Sequence, residues 1–370
     1  MNGRLRSPSR APVRQSSVRA HNLALVLQTV VNSADRPSRA AIAGATGLTR
    51  ATVSALVDDL IAGGLLTEQG PAPRNGAGRP ATALALSPDG PAGLGLEINV
   101  DYLAACVVDL TGAVRYHFMD RSPTLAGLGE LAARARAAAA EDGLALAGAA
   151  LAVPGLVAPG GLVRVAPNLG WQDVDPIAYL RRTPALADLP ITVDNEANLA
   201  ALGELRAGDG EPTFVYVSGE VGIGAGIVID GDLYRGGRGW SGEIGHVTVY
   251  PDGRPCRCGA NGCLEQYAGA AMVAEDPALA AASLGIALSA VVNLLDLDVI
   301  VLGGGYAPLF AELSPGIEAE MRRRVLTAGL APVTLRPASL GADAAVRGAA
   351  DAVIRGVQDD PATWLALQAV

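Results

Sequence analysis

Two stretches decide how this chain folds: GLGLEINVDYLAACVVDLTGAVRYHFM, from Gly93 to Met119, and FVYVSGEVGIGAGIVIDGDLYRG, from Phe214 to Gly236. Each reads as a strand, a tight turn and a second strand, because short runs of Val, Ile, Leu and Ala are bounded by Gly, Asn and Asp. The first turn is Asn99 to Asp101, the second is Gly-rich, and a further strand follows Thr111-Gly112. After the first unit come Ala-rich helical periodicity from Leu128 to Ala140 and a buried strand from Leu146 to Val153. Strands alternating with helices define an α/β domain. Repetition of the unit predicts two related lobes facing a cleft, at about 92–210 and 211–358.

A chain of 370 residues has room for this domain and another. Residues 1–16 are polar, basic and Pro-containing, the composition of a disordered arm. Residues 17–88 read as a winged helix-turn-helix. Leu23, Val26, Leu27 and Val30 share one face of a helix running to about Asn32; Ser38 caps a short second helix closed by Gly44 to Gly47. Thr49 caps a third, TRATVSALVDDLIAGG, with Val53, Leu56, Val57, Leu60 and Ile61 at helical spacing. Short strands at Leu65–Thr67 and Thr82–Leu86 flank a basic, Gly- and Pro-rich tip, QGPAPRNGAGRP. With its apolar face packed inward, the third helix presents Arg50, Thr52 and Ser54 to a major groove, and Arg79 on the wing is placed for a minor groove or a phosphate. A three-helix protein-interaction module is the alternative; the turn chemistry, the wing and the local charge favour double-stranded DNA.

The formal charge of −9 is unevenly spread. Up to residue 82 ten arginines face four acids, whereas beyond it eighteen basic residues face thirty-three acids. A basic head on an acidic body suits a small nucleic-acid-binding module carried by a larger domain. The N-terminus has no apolar core of signal-peptide type. The longest charge-free stretch, Pro277 to Leu295, is Ala-rich and carries Ser283, Ser289 and Asn293, so a buried helix is expected rather than a membrane span. The expected location is the cytoplasm, with no membrane partner.

GEIGHVTVYPDGRPCRCGANGCLEQ, from Gly242 to Gln266, carries the clearest chemistry. His246, Cys256, Cys258 and Cys263 supply one imidazole and three thiols on a tight loop, the donor set of a closed zinc site. Four protein ligands leave no open position for water, so the role expected of the zinc is structural. Around this loop lie Asn195 and Glu196, in VDNEANLAALGE, together with Glu243 and Glu265. Planar polar side chains of this kind suit adjacent sugar hydroxyls.

Taken in order, VRAHNLALVL, GLTRATVSALVDDLI, GAGRP, APNLGW, VDNEANLAALGE, GEIGH, CRCGANGCLE and VNLLDLDVIVLGGGYAP resemble the ROK family (repressors, open reading frames and sugar kinases) of the actin/hexokinase superfamily. The resemblance runs from about Val18 to Ala352. It implies a two-lobed, RNase H-like fold, a zinc on His246, Cys256, Cys258 and Cys263, and a sugar cleft using Asn168, Asn195, Glu243, His246 and Glu265. His246 would serve both sites, one ring nitrogen on zinc and the other facing the sugar.

Kinases of the family carry a first phosphate loop of the form Asp-x-Gly-Gly-Thr and a second of the form Gly-Thr-Gly. Here the corresponding stretches are Glu97-Ile98-Asn99-Val100-Asp101 and Glu220-Val221-Gly222, which set carboxylates where a triphosphate would approach. Glu196 stands where the family has its catalytic Asp. These departures imply a non-catalytic, sugar-responsive DNA-binding regulator of carbohydrate genes, with repression the commoner mode and a homodimer or dimer of dimers the expected assembly; a sugar kinase is the alternative. Between Glu265 and Ser283 the chain is several helical turns shorter than the family pattern.

Overall fold

Ser38 and Thr49 begin their helices as their chemistry dictates. Ser38 Oγ accepts from Ala41 N and Thr49 Oγ1 accepts from Thr52 N, each at 3.2 Å, satisfying amides that a first helical turn leaves free. The computed structural model describes residues 15–71, 82–208, 211–220 and 222–368. Its chain divides into two compact units: residues up to Gly90 together with Arg355–Val370, and Pro91–Ile354.

In the first unit, α1 (Gln15–Val31), α2 (Arg39–Thr46) and α3 (Arg50–Ala62) precede an antiparallel pair, β1 (Leu66–Pro71) and β2 (Thr82–Leu86). α2 and α3 are bent by 118° about a turn in which Gly47 takes a φ of 72°, the geometry of a helix-turn-helix. Leu27, Ile42, Val53, Val57 and Leu60 are buried beneath them. The expected helices are all present, although α1 begins at Gln15 and Gly44 lies inside α2 rather than ending it. β1 runs to Pro71, beyond the expected Thr67, with an irregular register between Gln69 and Pro71. Residues 1–14 and the wing tip fall outside the described residues.

The second unit contains two five-stranded sheets of identical strand order. The first holds β3 (Pro91–Ile98), β4 (Leu103–Asp109) and β5 (Val114–Asp120), then α4 (Leu125–Glu141) and β6 (Ala145–Val153). A small three-stranded sheet follows, of β7 (Leu156–Val157), β8 (Val163–Ala166) and β9 (Trp171–Val174), and then α5 (Pro176–Leu180), β10 (Ile191–Asn195) and α6 (Glu196–Ala207). The second large sheet is built from β11 (Phe214–Gly219), β12 (Ile223–Ile229) and β13 (Asp232–Leu233). After the Cys-rich loop come α7 (Glu265–Ala268), α8 (Ala270–Glu275), α9 (Pro277–Leu295), β14 (Val299–Gly304), α10 (Phe310–Arg324), β15 (Thr334–Pro337), α11 (Ala344–Asp359) and α12 (Pro361–Gln368).

The orders β10-β6-β3-β4-β5 and β15-β14-β11-β12-β13 superpose strand for strand. In each, the central strand pairs antiparallel with the next strand in sequence and parallel with the one after the helical insertion. The duplication expected from the two quoted stretches is therefore carried by the whole topology. Its consequence is that the β3–β4 and β11–β12 turns are equivalent positions of the two lobes.

Each lobe has its own core, one around Leu94, Leu96, Val107 and Leu151, the other around Val215, Leu264, Leu284 and Ile300. A third cluster, with Ala152, Ala200, Tyr216 and Val301, joins them. α9 is long and apolar enough to cross a membrane, but half of its apolar window is buried against the rest of the second lobe, as expected of a core helix. Asp276 caps it and Pro277 opens it.

The sequence pattern does not announce α12. It belongs to the first unit, where Trp364 Nε1 donates to Gly63 O at 3.0 Å, and Gln28 Nε2 on α1 reaches Asp359 Oδ1 at 3.1 Å. The last turn of α11, from Arg355, groups with this unit as well, although the sequence-based boundary ran to 358.

Candidate functional site

The Cys-rich loop is closed by its own backbone before any metal is considered. Cys256 N donates to Ala260 O, Gly262 N to Arg254 O, and Leu264 N to Val247 O, all at 2.8–2.9 Å. Thr248 pairs with Cys263 in an isolated bridge, and Arg254 stacks on the Tyr267 ring. The result gathers one nitrogen of His246 and the sulfurs of Cys256, Cys258 and Cys263 within 4.8 Å of one another. His246 Nδ1 is 3.8 Å from Cys256 Sγ, and Cys258 Sγ is 3.6 Å from Cys263 Sγ. A tetrahedral zinc with bonds of about 2.3 Å to sulfur sets its donors about 3.8 Å apart, so the residues fit a metal ion. Outside the four, Gln266 Nε2 donates to Cys256 Sγ at 3.7 Å. Because Nδ1 faces the sulfurs, Nε2 of His246 is the nitrogen left for a second partner.

Two of the sequence-selected polar residues adjoin this loop. Glu243 precedes the short 3-10 turn Ile244–His246, and Glu265 opens α7 directly after Cys263. A Cβ built on Gly222 would lie 3.2 Å from Glu265 Oε2 and 3.8 Å from Asn168 Nδ2, so these two side chains converge on the second glycine-rich turn. Glu243 keeps an accessible edge, yet desolvation raises its carboxyl, with Glu265 adding to the rise and His246 opposing it. Glu196, the first residue of α6, is pushed well above the usual carboxylate range by burial, and Glu220, Glu97 and Glu243 add to the rise.

Asn195 is also engaged by its own helix. Its Oδ1 accepts from Ala197 N at 2.8 Å and Asn198 N at 3.3 Å as the cap of α6, and its Nδ2 donates to Gly155 O at 3.1 Å. An Asn in front of a helix reads equally as ligand or cap. Here the cap consumes the oxygen and leaves one N–H for a ligand.

Beside these residues, the two equivalent turns meet. Asn99 Nδ2 donates to Glu220 Oε2 at 2.7 Å. Tyr102 OH donates to Glu97 Oε1 at 2.7 Å, and Asn99 Nδ2 lies 3.2 Å from the Tyr102 hydroxyl. Glu97, Asn99, Glu196, Ser218 and Glu220 line one small cavity, with Gly341, Ala342, Ala344 and Ala345 also in its lining. Glu97 is 2 % exposed, and burial raises its carboxyl to about 7, with Tyr102 opposing and Glu220 adding. The acids Glu97 and Glu220 were legible in the sequence as departures from phosphate loops; the bond between the turns and the role of Tyr102 were not.

In the first unit, Arg50 is exposed at the start of α3 and Thr52 and Ser54 are half-buried. The Thr52 hydroxyl shares a 2.8 Å hydrogen bond with that of Thr49, and the carbonyl of Ser54 accepts from Arg39 at 3.3 Å. Arg79 lies outside the described residues.

Three helices with an antiparallel pair, followed by a duplicated α/β domain whose loop gathers one histidine and three cysteines, define a class: two-lobed, actin/hexokinase-like proteins with an N-terminal helical module. The sequence profile of the ROK family matches residues 93–278, and the chain belongs to that family. It is similar to the xylose repressor of Caldicellulosiruptor bescii, 35 % identical over 257 residues, which are 67 % of this chain and 63 % of that protein. The chain thus matches somewhat under two thirds of the length of that relative. Among solved structures, a ROK family transcriptional regulator homologous to the E. coli MLC protein aligns over 94 % of this chain and 99 % of its own, with a TM-score of 0.78 and 23 % identity, a likeness of fold. The ROK hexokinase of Thermus thermophilus aligns over 72 % of this chain and 99 % of its own, with a TM-score of 0.62 and 31 % identity.

Proposed function

We propose that the chain is a sugar-responsive, DNA-binding transcriptional repressor whose kinase-shaped domain binds a sugar without phosphorylating it. The observation that carries this reading is the junction of the two equivalent turns: Asn99 is bonded to Glu220, with Glu97 and Glu196 lining the same cavity. Carboxylates stand where a kinase of this fold presents backbone amides to phosphates, and they repel a triphosphate. The similarity to xylose repressors supports the same assignment.

The sugar site comprises Asn168, Glu196, Glu243, His246 and Glu265, with the remaining N–H of Asn195. His246, Cys256, Cys258 and Cys263 would hold a structural zinc, which supplies no chemistry beyond fixing the loop that carries His246 and Glu265. Arg50, Thr52 and Ser54 contact an operator, to which the sequence also assigns Arg79, and the operator is read by a cytoplasmic homodimer or dimer of dimers through two winged helices. Sugar in the cleft shifts the population of domain arrangements and with it the affinity for DNA. Mobility-shift titration on the DNA upstream of the gene, with and without a panel of pentoses, hexoses and N-acetylhexosamines, tests the reading. One sugar should change operator affinity while a coupled ADP-release assay stays at background; sugar-dependent ADP release would make the protein a kinase instead.

A further inference from the structure

The carboxylates at the junction of the lobes lack something that the other buried acids of this chain have. Asp109, 1 % exposed, accepts from Thr111 and Ala113 and pairs with Arg115 at 3.4 Å. Glu204, fully buried, accepts from Ser339 N and Leu340 N and faces Arg336 at 3.5 Å. Glu97 is buried as deeply, but no donor reaches its Oε2 among the described residues, and the same holds for Oε2 of Glu196. Both line the cavity between the turns, together with Glu220, and among the described residues no Arg or His side chain lines it. Buried, unpaired carboxylate oxygens are costly unless a proton or a positive charge meets them.

The space is small and its donors are all of one kind. About 10 Å³ remains for solvent, the room of one water or one bare ion. Among the described residues, the polar side chains lining it carry carboxylate, hydroxyl and amide groups, with no thiol or imidazole. Such a donor set selects hard cations rather than zinc or copper. The donors are also held in place: Asn99 ties Glu220 to the turn of β3 and β4, and Tyr102 fixes the other oxygen of Glu97.

We propose that this cavity binds a single hard cation of the magnesium or calcium class, held between the lobes by Glu97 and Glu196 on one side and Glu220 on the other. The ion takes no nucleotide with it, since the carboxylates that bind it exclude one. Its place at the meeting of the two lobes makes it a staple of the closed arrangement, independent of which sugar occupies the cleft. Protons compete for the same oxygens: Glu97 faces Glu220, Glu196, Tyr102, Asn99 and, from the loop before α11, Asp343. Cation affinity therefore rises as Glu97, whose carboxyl burial raises to about 7, ionises.

The test uses the full-length, zinc-loaded protein and Mn2+ as the probe, followed by electron paramagnetic resonance and calorimetry, with Mg2+ and Ca2+ as competitors. One Mn2+ should bind per chain, more tightly at pH 8 than at pH 6, and E97Q and E220Q should each weaken it by about tenfold or more. Without added ion, E97Q should melt no lower than the parent, because an amide keeps the Tyr102 contact and removes a buried charge, so lost binding is not lost folding. Absence of saturable binding, or binding indifferent to both substitutions, overturns the proposal and leaves protons as the partners of these oxygens.

Discussion

Asn99 Nδ2 and Glu220 Oε2 lie 2.7 Å apart, and this one hydrogen bond joins the same turn of two lobes built on the same strand order. Glu97 and Glu220 flank the amide, so Asn99 also separates two acids that no arginine among the described residues neutralises. A hydrogen bond to a charged group contributes about 1.5–3 kcal/mol. N99A should therefore lower the unfolding free energy by about 2 kcal/mol in urea titrations, with the denaturant slope unchanged. A change within the error of the titration would mean that the lobes close without this contact.

Glu97 makes stability depend on pH in a stated direction. Its carboxyl rises from 4.5 to about 7 on folding, chiefly because it is buried. Between these values the folded chain holds a proton that the unfolded chain has released. The associated stability is complete below about pH 4.5 and is lost as pH rises through 7, a loss of at most about 3 kcal/mol. E97Q should flatten the fall in stability between pH 5 and pH 7.5 relative to the parent; parallel profiles would show that Glu97 ionises alike in both states.

Some of this was legible in the sequence because it is local. A repeated apolar run, turn and apolar run declares the duplicated lobes, and Ser38 and Thr49 declare their helix starts, since caps act on amides two or three residues away. The four metal-donor side chains are similarly contained within eighteen residues, His246 to Cys263. What escaped depends on partners distant in the chain. α12 carries no pattern that announces its seat on Gly63, some 300 residues earlier, because tertiary contact rather than periodicity places Trp364. The bond from Asn99 to Glu220 likewise requires both lobes to be folded before it exists. Asn195 was ambiguous for the opposite reason: ligand and cap use the same side chain, and the cap is the nearer partner.

Two glycines of the Cys-rich loop separate backbone strain from metal binding. Gly259 and Gly262 both have positive φ, 95° and 72°. A Cβ on Gly259 meets nothing within 4 Å, whereas one on Gly262 would lie 1.6 Å from Tyr250 O, inside the loop's hydrogen-bonded frame. G259A should keep its zinc and lose about 1–2 kcal/mol to left-handed strain. G262A should displace the backbone beside Cys263 and lose most of its zinc, read as metal content per chain by atomic emission and as a lowered melting temperature. Equal metal content in the two variants would mean that the four ligands tolerate a moved loop.

The arginines of the helical unit divide by partner. Arg39 is held by Asp58 at 2.6 Å and Glu68 at 2.9 Å, and Arg19 is paired with Asp59. Arg50, exposed at the first position of α3, has no acidic partner among the described residues. An arginine already neutralised releases few counterions from DNA, whereas a free one at the start of a recognition helix contributes fully. R50A should weaken operator binding by about 1–3 kcal/mol, roughly fivefold to somewhat over a hundredfold, and reduce the slope of log affinity against log salt by about one. R39A should instead loosen α2, α3 and β1 and leave that slope unchanged. Fluorescence anisotropy across about 50–200 mM salt, with thermal melts of both variants, distinguishes them; a reduced slope in R39A and none in R50A would move the DNA-facing surface away from the start of α3.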